Sequence, residues 1–551
     1  MKRLLTLLLV AIMVFSAAAC AGDKPNDGTA GGQTAAEPST GSSGTTQTQP
    51  AEGNQEQTPA DAVDKGGILK IAVTGDISSM HAHRLRGGKD RAFGCVIFEK
   101  LFNFDSKGDP YPFLLESYEE DPAALTYTLH VRQGIKFHDG SDLNAEVVAW
   151  NLQLYKDKGV QSASFLGSVD KIEAVDDYTV VLTLSVWDSL IPVFMAREGG
   201  CGYIVSKEAW ETNGEEWCKE HPVTTAPFKF VSWEHDTSVK LEKFAEYWQG
   251  EPYLDGVEFH VYNSTMVAQA AIESGEIDAM MNISDTEIVD YLAMRGFTVT
   301  KGGIPSSAAN VCFEMLKEGD PFTDIRVRQA AAHALDRDAI AAAMYGEYAV
   351  PTSQYCVPGS TYYSNDVTGH PYDPEKSKAL LAEAGYPNGF STSLYVNSTS
   401  QTSVDLATII AEQLGKVGIN VTLELRDEAA YSVMIDGWNG GMIQHGGGID
   451  SGAPAFISGS FARNLTSGIG LNSFNKPEEL YVAIEEGKAG DFATCVDRFQ
   501  KAQYIIFEEQ VMIKTLYVIL PLAVSNPKLH DADIGATGGT SSDLWDAWIE
   551  Q

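Results

Sequence analysis

At 551 residues, with 44% hydrophobic side chains, the chain is too long for one small core and is read as a protein of two or more lobes. Its formal charge of -36 and pI near 4.6 exclude nucleic acid and anionic membrane surfaces as partners, because an acidic face repels both. Met1–Leu5 supply a short positive region, and Leu4–Phe15 form an apolar run too short to span a bilayer, as in a secretory signal over residues 1–19. Residues 20–65 are rich in Gly, Ser, Thr, Gln and Pro and lack the apolar side chains a core needs, so they form a disordered linker. Ile68–Val73 read as a first strand opening into a loop that carries Met80, His81, His83 and Arg86. His81 and His83 stand two residues apart with no Cys or third His beside them in sequence, so no metal site is expected there or elsewhere.

The next stretch is the most patterned. Leu125, Tyr127, Leu129 and Val131 alternate with polar residues as a half-buried strand, and Gly134 turns the chain into a short strand Ile135–Phe137. After a turn at His138–Gly140, Asn144 stands where a helix cap belongs, with Glu146 in the first turn and Val147, Val148 and Trp150 behind it. Residues 169–175 and 178–184 form two more alternating strands around Asp176–Asp177. Val267–Ile272 read as a helix before a strand start at Ala279, and Asp324–Ala334 and Asp336–Met344 as two helices, the second ended by Gly346. Val404–Val417 put Leu406, Ile409, Ile410, Leu414 and Val417 on one face, close at Gly418 and pass into a strand over Ile419–Leu425. Helix, glycine, strand is the unit of an α/β lobe, whose ligands bind in loops at the carboxyl ends of strands. The richest such loop is predicted over Ile443–Pro454: Gly446, Gly447 and Gly448 leave backbone groups uncovered, between His445 and Asp450.

Pro110–Trp150, Phe322–Ile340, Tyr372–Phe390 and Gly418–Thr422, taken in that order, resemble the landmarks of the extracellular solute-binding protein family 5, the peptide and nickel type of binding protein that serves ABC importers. The resemblance implies an α/β, two-lobed periplasmic-binding-protein-like fold of class II with an extra subdomain. Residues 66–107, 205–307 and 505–551 would form lobe I, residues 108–204 the extra subdomain, and residues 308–504 lobe II. Ser16–Cys20 resemble a lipoprotein processing site, with Cys20 lipidated as the sole membrane anchor on the extracytoplasmic face. The family's ligand cleft implies ligand contacts from Met80, His81, His83 and Arg86 and from His445, Gly446, Gly447, Gly448 and Asp450, with the Asp450 carboxylate holding a peptide's free amino group. Dipeptide-binding members carry an Arg in the stretch matching Leu394–Thr399, and this chain has none, which favours longer peptides. The implied protein is a monomeric binding lipoprotein without cofactor, whose partners are a peptide, an ABC permease and its ATPase subunits. A nickel or other metal chelate held by His445 is the second ligand class. A secreted lipoprotein hydrolase is the reading of another class, but the chain has no Gly-x-Ser-x-Gly, His-Glu-x-x-His, Walker or Rossmann motif, and it is read as not an enzyme. Besides Cys20 there are six cysteines; Cys201 and Cys218 close a loop that a disulfide would stabilise after export.

Overall fold

A computed structural model of the chain describes residues 65–85, 90–159, 162–302, 307–434, 437–448, 452–463, 473–519, 522–534 and 544–550. The signal, Cys20, the linker to residue 64, Arg86 and Asp450 lie outside the described residues. Two large mixed sheets carry the fold. The first runs in the order Thr298–Lys301, Leu522–Ser525, Ala279–Met281, Ile68–Val73, Gly256–Val261, Ser238–Lys243, Phe228–Glu234. Ile68–Val73 is its middle strand, parallel to both neighbours, and Leu69, Ile71, Ala72 and Val73 are buried, as expected for a strand covered on both faces. The helix Thr265–Ser274 ends at Gly275 in the left-handed conformation, φ 76°, and turns the chain into Ala279–Met281.

The second sheet runs Ala349–Pro351, Ile513–Ile519, Ser307–Phe313, Met442–Gly448, Phe390–Asn397, Ile419–Arg426. Its helices start where expected: Asp324 accepts from the Arg326 N–H for Ile325–Ala334, and Asp336 from the Ala339 N–H for Arg337–Tyr345. Gln401–Gly415 buries Leu406, Ile410 and Leu414, and the chain then reverses at Gly418, φ 96°. A Cβ on Gly389 would lie 1.9 Å from the Gly418 carbonyl oxygen, so this close backbone approach requires glycine at Gly389. The strand Ile513–Ile519 pairs with Ser307–Phe313, so the chain returns to the first sheet after residue 519, later than the 504/505 boundary read from the sequence. The interior of that strand is buried throughout and carries no turn residue that marks the change of sheet.

The extra subdomain is an antiparallel sheet in the order Leu115–Asp121, Thr126–Val131, Thr179–Leu184, Val169–Ala174. Tyr127, Leu129 and Val131 point into its core, and Tyr127 stacks on Trp187 at 4.6 Å between ring centroids. Asn144 caps Ala145–Lys158 by accepting from the Val147 N–H at 3.0 Å. The expected strand Ile135–Phe137 is reduced to a single bridge between Lys136 and Asp142, because two turns three residues apart leave no room for a ladder. The subdomain also reaches the helix Glu478–Ala489: Asp188 pairs with Lys488 at 2.8 Å, and the Trp187 indole N–H donates to the Gly490 carbonyl at 3.1 Å.

Candidate functional site

Strand register fixes where the two sheets face each other. The chain leaves the first sheet after Lys301, joins the second at Ser307, leaves it after Ile519 and rejoins the first at Leu522. Lys301 pairs with Leu522 and Ser307 with Ile519, so both crossings leave from one edge of each sheet. Ile68–Val73, Gly256–Val261 and Ala279–Met281 end at that edge of the first sheet; Phe390–Asn397, Ile419–Arg426 and Met442–Gly448 end at that edge of the second. The carboxyl ends of the parallel strands of both sheets therefore point at the crossings, the side on which open α/β sheets bind ligands.

Met442–Gly448 ends there in the glycine run. The sequence predicts a loop from Ile443; the chain is instead a strand as far as Gly448, because Ser307–Phe313 offers it a full antiparallel ladder from Met442 opposite Phe313 to Gly448 opposite Ser307. On its other side Phe390–Asn397 pairs only with Met442 and Ile443. From Gln444 onward that side has no strand partner among the described residues, although the Tyr431 hydroxyl donates to the Gln444 carbonyl. Gly446, Gly447 and Gly448 thus give a strand edge without side chains. His445 lies opposite Asn310, whose side-chain oxygen accepts from Thr515 at 2.8 Å. The imidazole is buried, burial pushes its pKa down to about 4, and its Nε2 finds no hydrogen-bond partner among the described residues. The Gln444 side-chain oxygen is buried in the same unpartnered state. Such atoms cost roughly 1–3 kcal/mol each unless something satisfies them.

Met80, His81 and His83 lie in the first lobe and are also buried, but they line a different cavity, with Trp210, Cys218 and His221. It has a volume of about 10 Å³, room for about one water. His81 Nε2 stands 3.0 Å from the Glu215 carbonyl oxygen, and His81 Nδ1 stands 3.3 Å from His83 Nε2. Burial lowers the pKa of His81 and brings that of His83 down to about 3, with His81 the next cause for His83. The expected Cys201–Cys218 bond is not formed. Both are free thiols: Cys201 is sealed in the subdomain core, its N–H bonded to the Phe194 carbonyl, while Cys218 stays half-buried on Glu215–Cys218. Larger hollows of about 480 Å³ beside Asp497 and Lys501 and about 360 Å³ beside Glu120 and Tyr362 are lined by no residue of the glycine strand. Glu215 and Asn310 carried no signal in the sequence, since each acquires its position from a segment far along the chain.

Two sheets joined by two crossings, with strand ends facing across them, define a periplasmic-binding-protein fold of class II. The chain belongs to the bacterial extracellular solute-binding proteins, family 5, whose model matches residues 109–468. It is 31% identical over 375 residues, 67% of this chain and 71% of that protein, to the glutathione-binding protein GsiB of Pectobacterium atrosepticum. The periplasmic binding protein DppA from Helicobacter pylori, solved in complex with peptide STSA, shares 25% identity, with a TM-score of 0.70 over 89% of this chain and 99% of that one. AgaA from A. tumefaciens R10, solved with agropinic acid, shares 26% identity, with a TM-score of 0.68 over 88% and 99% of the two chains. The family is extracytoplasmic, and no described helix is long and apolar enough to cross a membrane.

Proposed function

We propose that the protein is the substrate-binding lipoprotein of an ABC importer. It captures a peptide between its lobes, an oligopeptide rather than a dipeptide, and delivers it to the permease and ATPase subunits. The observation that carries this reading is the edge of His445–Gly448, which has no strand partner among the described residues and lies at the carboxyl ends of the strands where the chain crosses between sheets. An extended peptide adds to such an edge through main-chain hydrogen bonds, and the glycines allow its backbone to come close. The similarity to DppA, solved with a peptide, and to glutathione-binding relatives supports a peptide-like ligand. The absence of Arg from Leu394–Thr399 supports the longer one. Asp450, two residues beyond the glycine run, holds the ligand's amino terminus in this reading. Leaving one member of such a charge pair buried alone costs about 3–5 kcal/mol, and each 1.4 kcal/mol is about tenfold, so Asp450→Asn weakens binding by about a hundredfold or more. Mass spectrometry of co-purifying ligand, followed by calorimetric titration of free and N-acetylated peptides into both proteins, is the test. The two losses are expected not to add, because both remove one interaction. Tight binding of the acetylated peptide removes Asp450 from this role.

A second reading rests on His445 Nε2, which has no hydrogen-bond partner among the described residues: a buried, uncharged imidazole suits a metal chelate. In that case His445→Ala abolishes chelate binding, and peptides do not bind.

A further inference from the structure

His81 and His83 meet a third donor from more than a hundred residues further along the chain. The ligand atoms of His81, His83 and the Glu215 carboxylate all lie within 4.8 Å of one another. The backbone carbonyl of Glu215 can only accept, so it fixes a proton on His81 Nε2, 3.0 Å away, and leaves a lone pair on His81 Nδ1. A carbonyl that orients the far nitrogen in this way is the usual support of a metal-bound imidazole. His83 Nε2 stands 3.3 Å from that lone pair. Two nitrogens bonded to one tetrahedral ion at about 2.0–2.1 Å sit about 3.3 Å apart, whereas a good hydrogen bond between them would be nearer to about 2.9 Å. The cavity beside them, about 10 Å³, has room for about one water; Cys218 and His221 reach it within an otherwise mostly apolar wall that includes Val205, Ala209 and Trp210. Glu215 is already engaged: Lys158 pairs with its Oε2, while Arg84 stands 3.9 Å from Oε1. Oε1 is therefore the oxygen available to an ion, at the cost of one long contact.

We propose that this chain binds one zinc-like divalent transition-metal ion through His81 Nδ1, His83 Nε2 and Glu215 Oε1, with the fourth position open to water. The ion ties the loop after the first strand to the segment carrying Glu215, 134 residues beyond His81. It uses no residue of the glycine strand, so the site stands or falls separately from the peptide reading.

The test is equilibrium dialysis of the full chain, stripped with a chelator, against Zn²⁺, with bound metal counted by mass spectrometry. One equivalent per chain is expected. His81→Ala and His83→Ala are each expected to weaken it by more than about a hundredfold, since even the loss of a supporting partner costs about 10–100-fold. His235→Ala, at an exposed histidine elsewhere, is expected to change nothing. No bound Zn²⁺ in the unaltered chain, or Zn²⁺ retained by both alanine variants, overturns the proposal and leaves a hydrogen-bonded histidine pair with adventitious metal only. Should the variants fail to fold, the Co²⁺ form of the unaltered chain decides: an intense tetrahedral visible spectrum is expected, and a weak octahedral one refutes the site.

Discussion

His138 sits in the turn at the centre of the most patterned stretch, and its environment makes a quantitative claim about acid. Its Nε2 lies 2.8 Å from the Ala226 carbonyl, and its Nδ1 faces the Thr224 N–H at 3.5 Å. The neutral ring can donate at one end and accept at the other, whereas a second proton would point at the Thr224 donor. The Phe244 ring packs against it at 5.1 Å, Lys229 opposes its charge, Asp139 favours it, and burial, the largest cause, pulls its pKa from 6.5 to about 4. The unfolded chain thus takes up a proton below about pH 6.5 that the folded chain refuses until about pH 4. In that window the unfolded state holds more protons, so stability falls as pH falls. At 1.36 kcal/mol per unit, His138 removes about 2 kcal/mol between pH 7 and pH 5. The assay is urea unfolding at both pH values for the unaltered chain and for His138→Gln, which keeps a donor for Ala226 but does not titrate. His370 and His445, lowered to about 3 and about 4 by burial, steepen both curves alike. The variant is therefore expected to lose about 2 kcal/mol less than the unaltered chain over this interval. Curves that stay parallel within about 0.5 kcal/mol would refute the reasoning.

Lys100 and Glu198 form a fully buried pair at 2.9 Å, with the Lys100 ammonium also donating to the Ala196 carbonyl. Glu198→Gln is expected to cost about 3–5 kcal/mol in a denaturant titration, and the Lys100→Met/Glu198→Leu double variant to recover much of it; equal losses in the two would contradict the pairing. Cys20→Ser is expected to leave the chain exported but no longer bound to membranes, as read by cell fractionation; a variant that stays with the membrane rules out Cys20 as the anchor.

The elements legible in the sequence were those that carry their own punctuation. Asn144 and Asp336 cap helices where their spacing from apolar faces says they should, and Gly418 reverses the chain as expected. The alternation of Tyr127, Leu129 and Val131 is a strand because it needs only a core on one side. The glycine run was misread for the complementary reason. Gly446–Gly448 have no intrinsic preference for extended structure, and only the ladder with Ser307–Ala309, well over a hundred residues earlier, makes them one. The same distance separates His81 from Glu215, so a spacing rule applied to His81 and His83 alone saw two residues where the fold assembles three. Cys201 and Cys218 show the opposite error: a favourable loop length in sequence says nothing of whether one thiol is sealed in a core.

The two crossings have a mechanical consequence. Each sheet is fastened to the other at two points, and these points are neighbours, since Lys301 lies against Leu522 on one side and Ser307 against Ile519 on the other. A rigid plate pinned to another at two adjacent points cannot slide along it or spin freely on it; it keeps one easy freedom, a swing about the line through the pins.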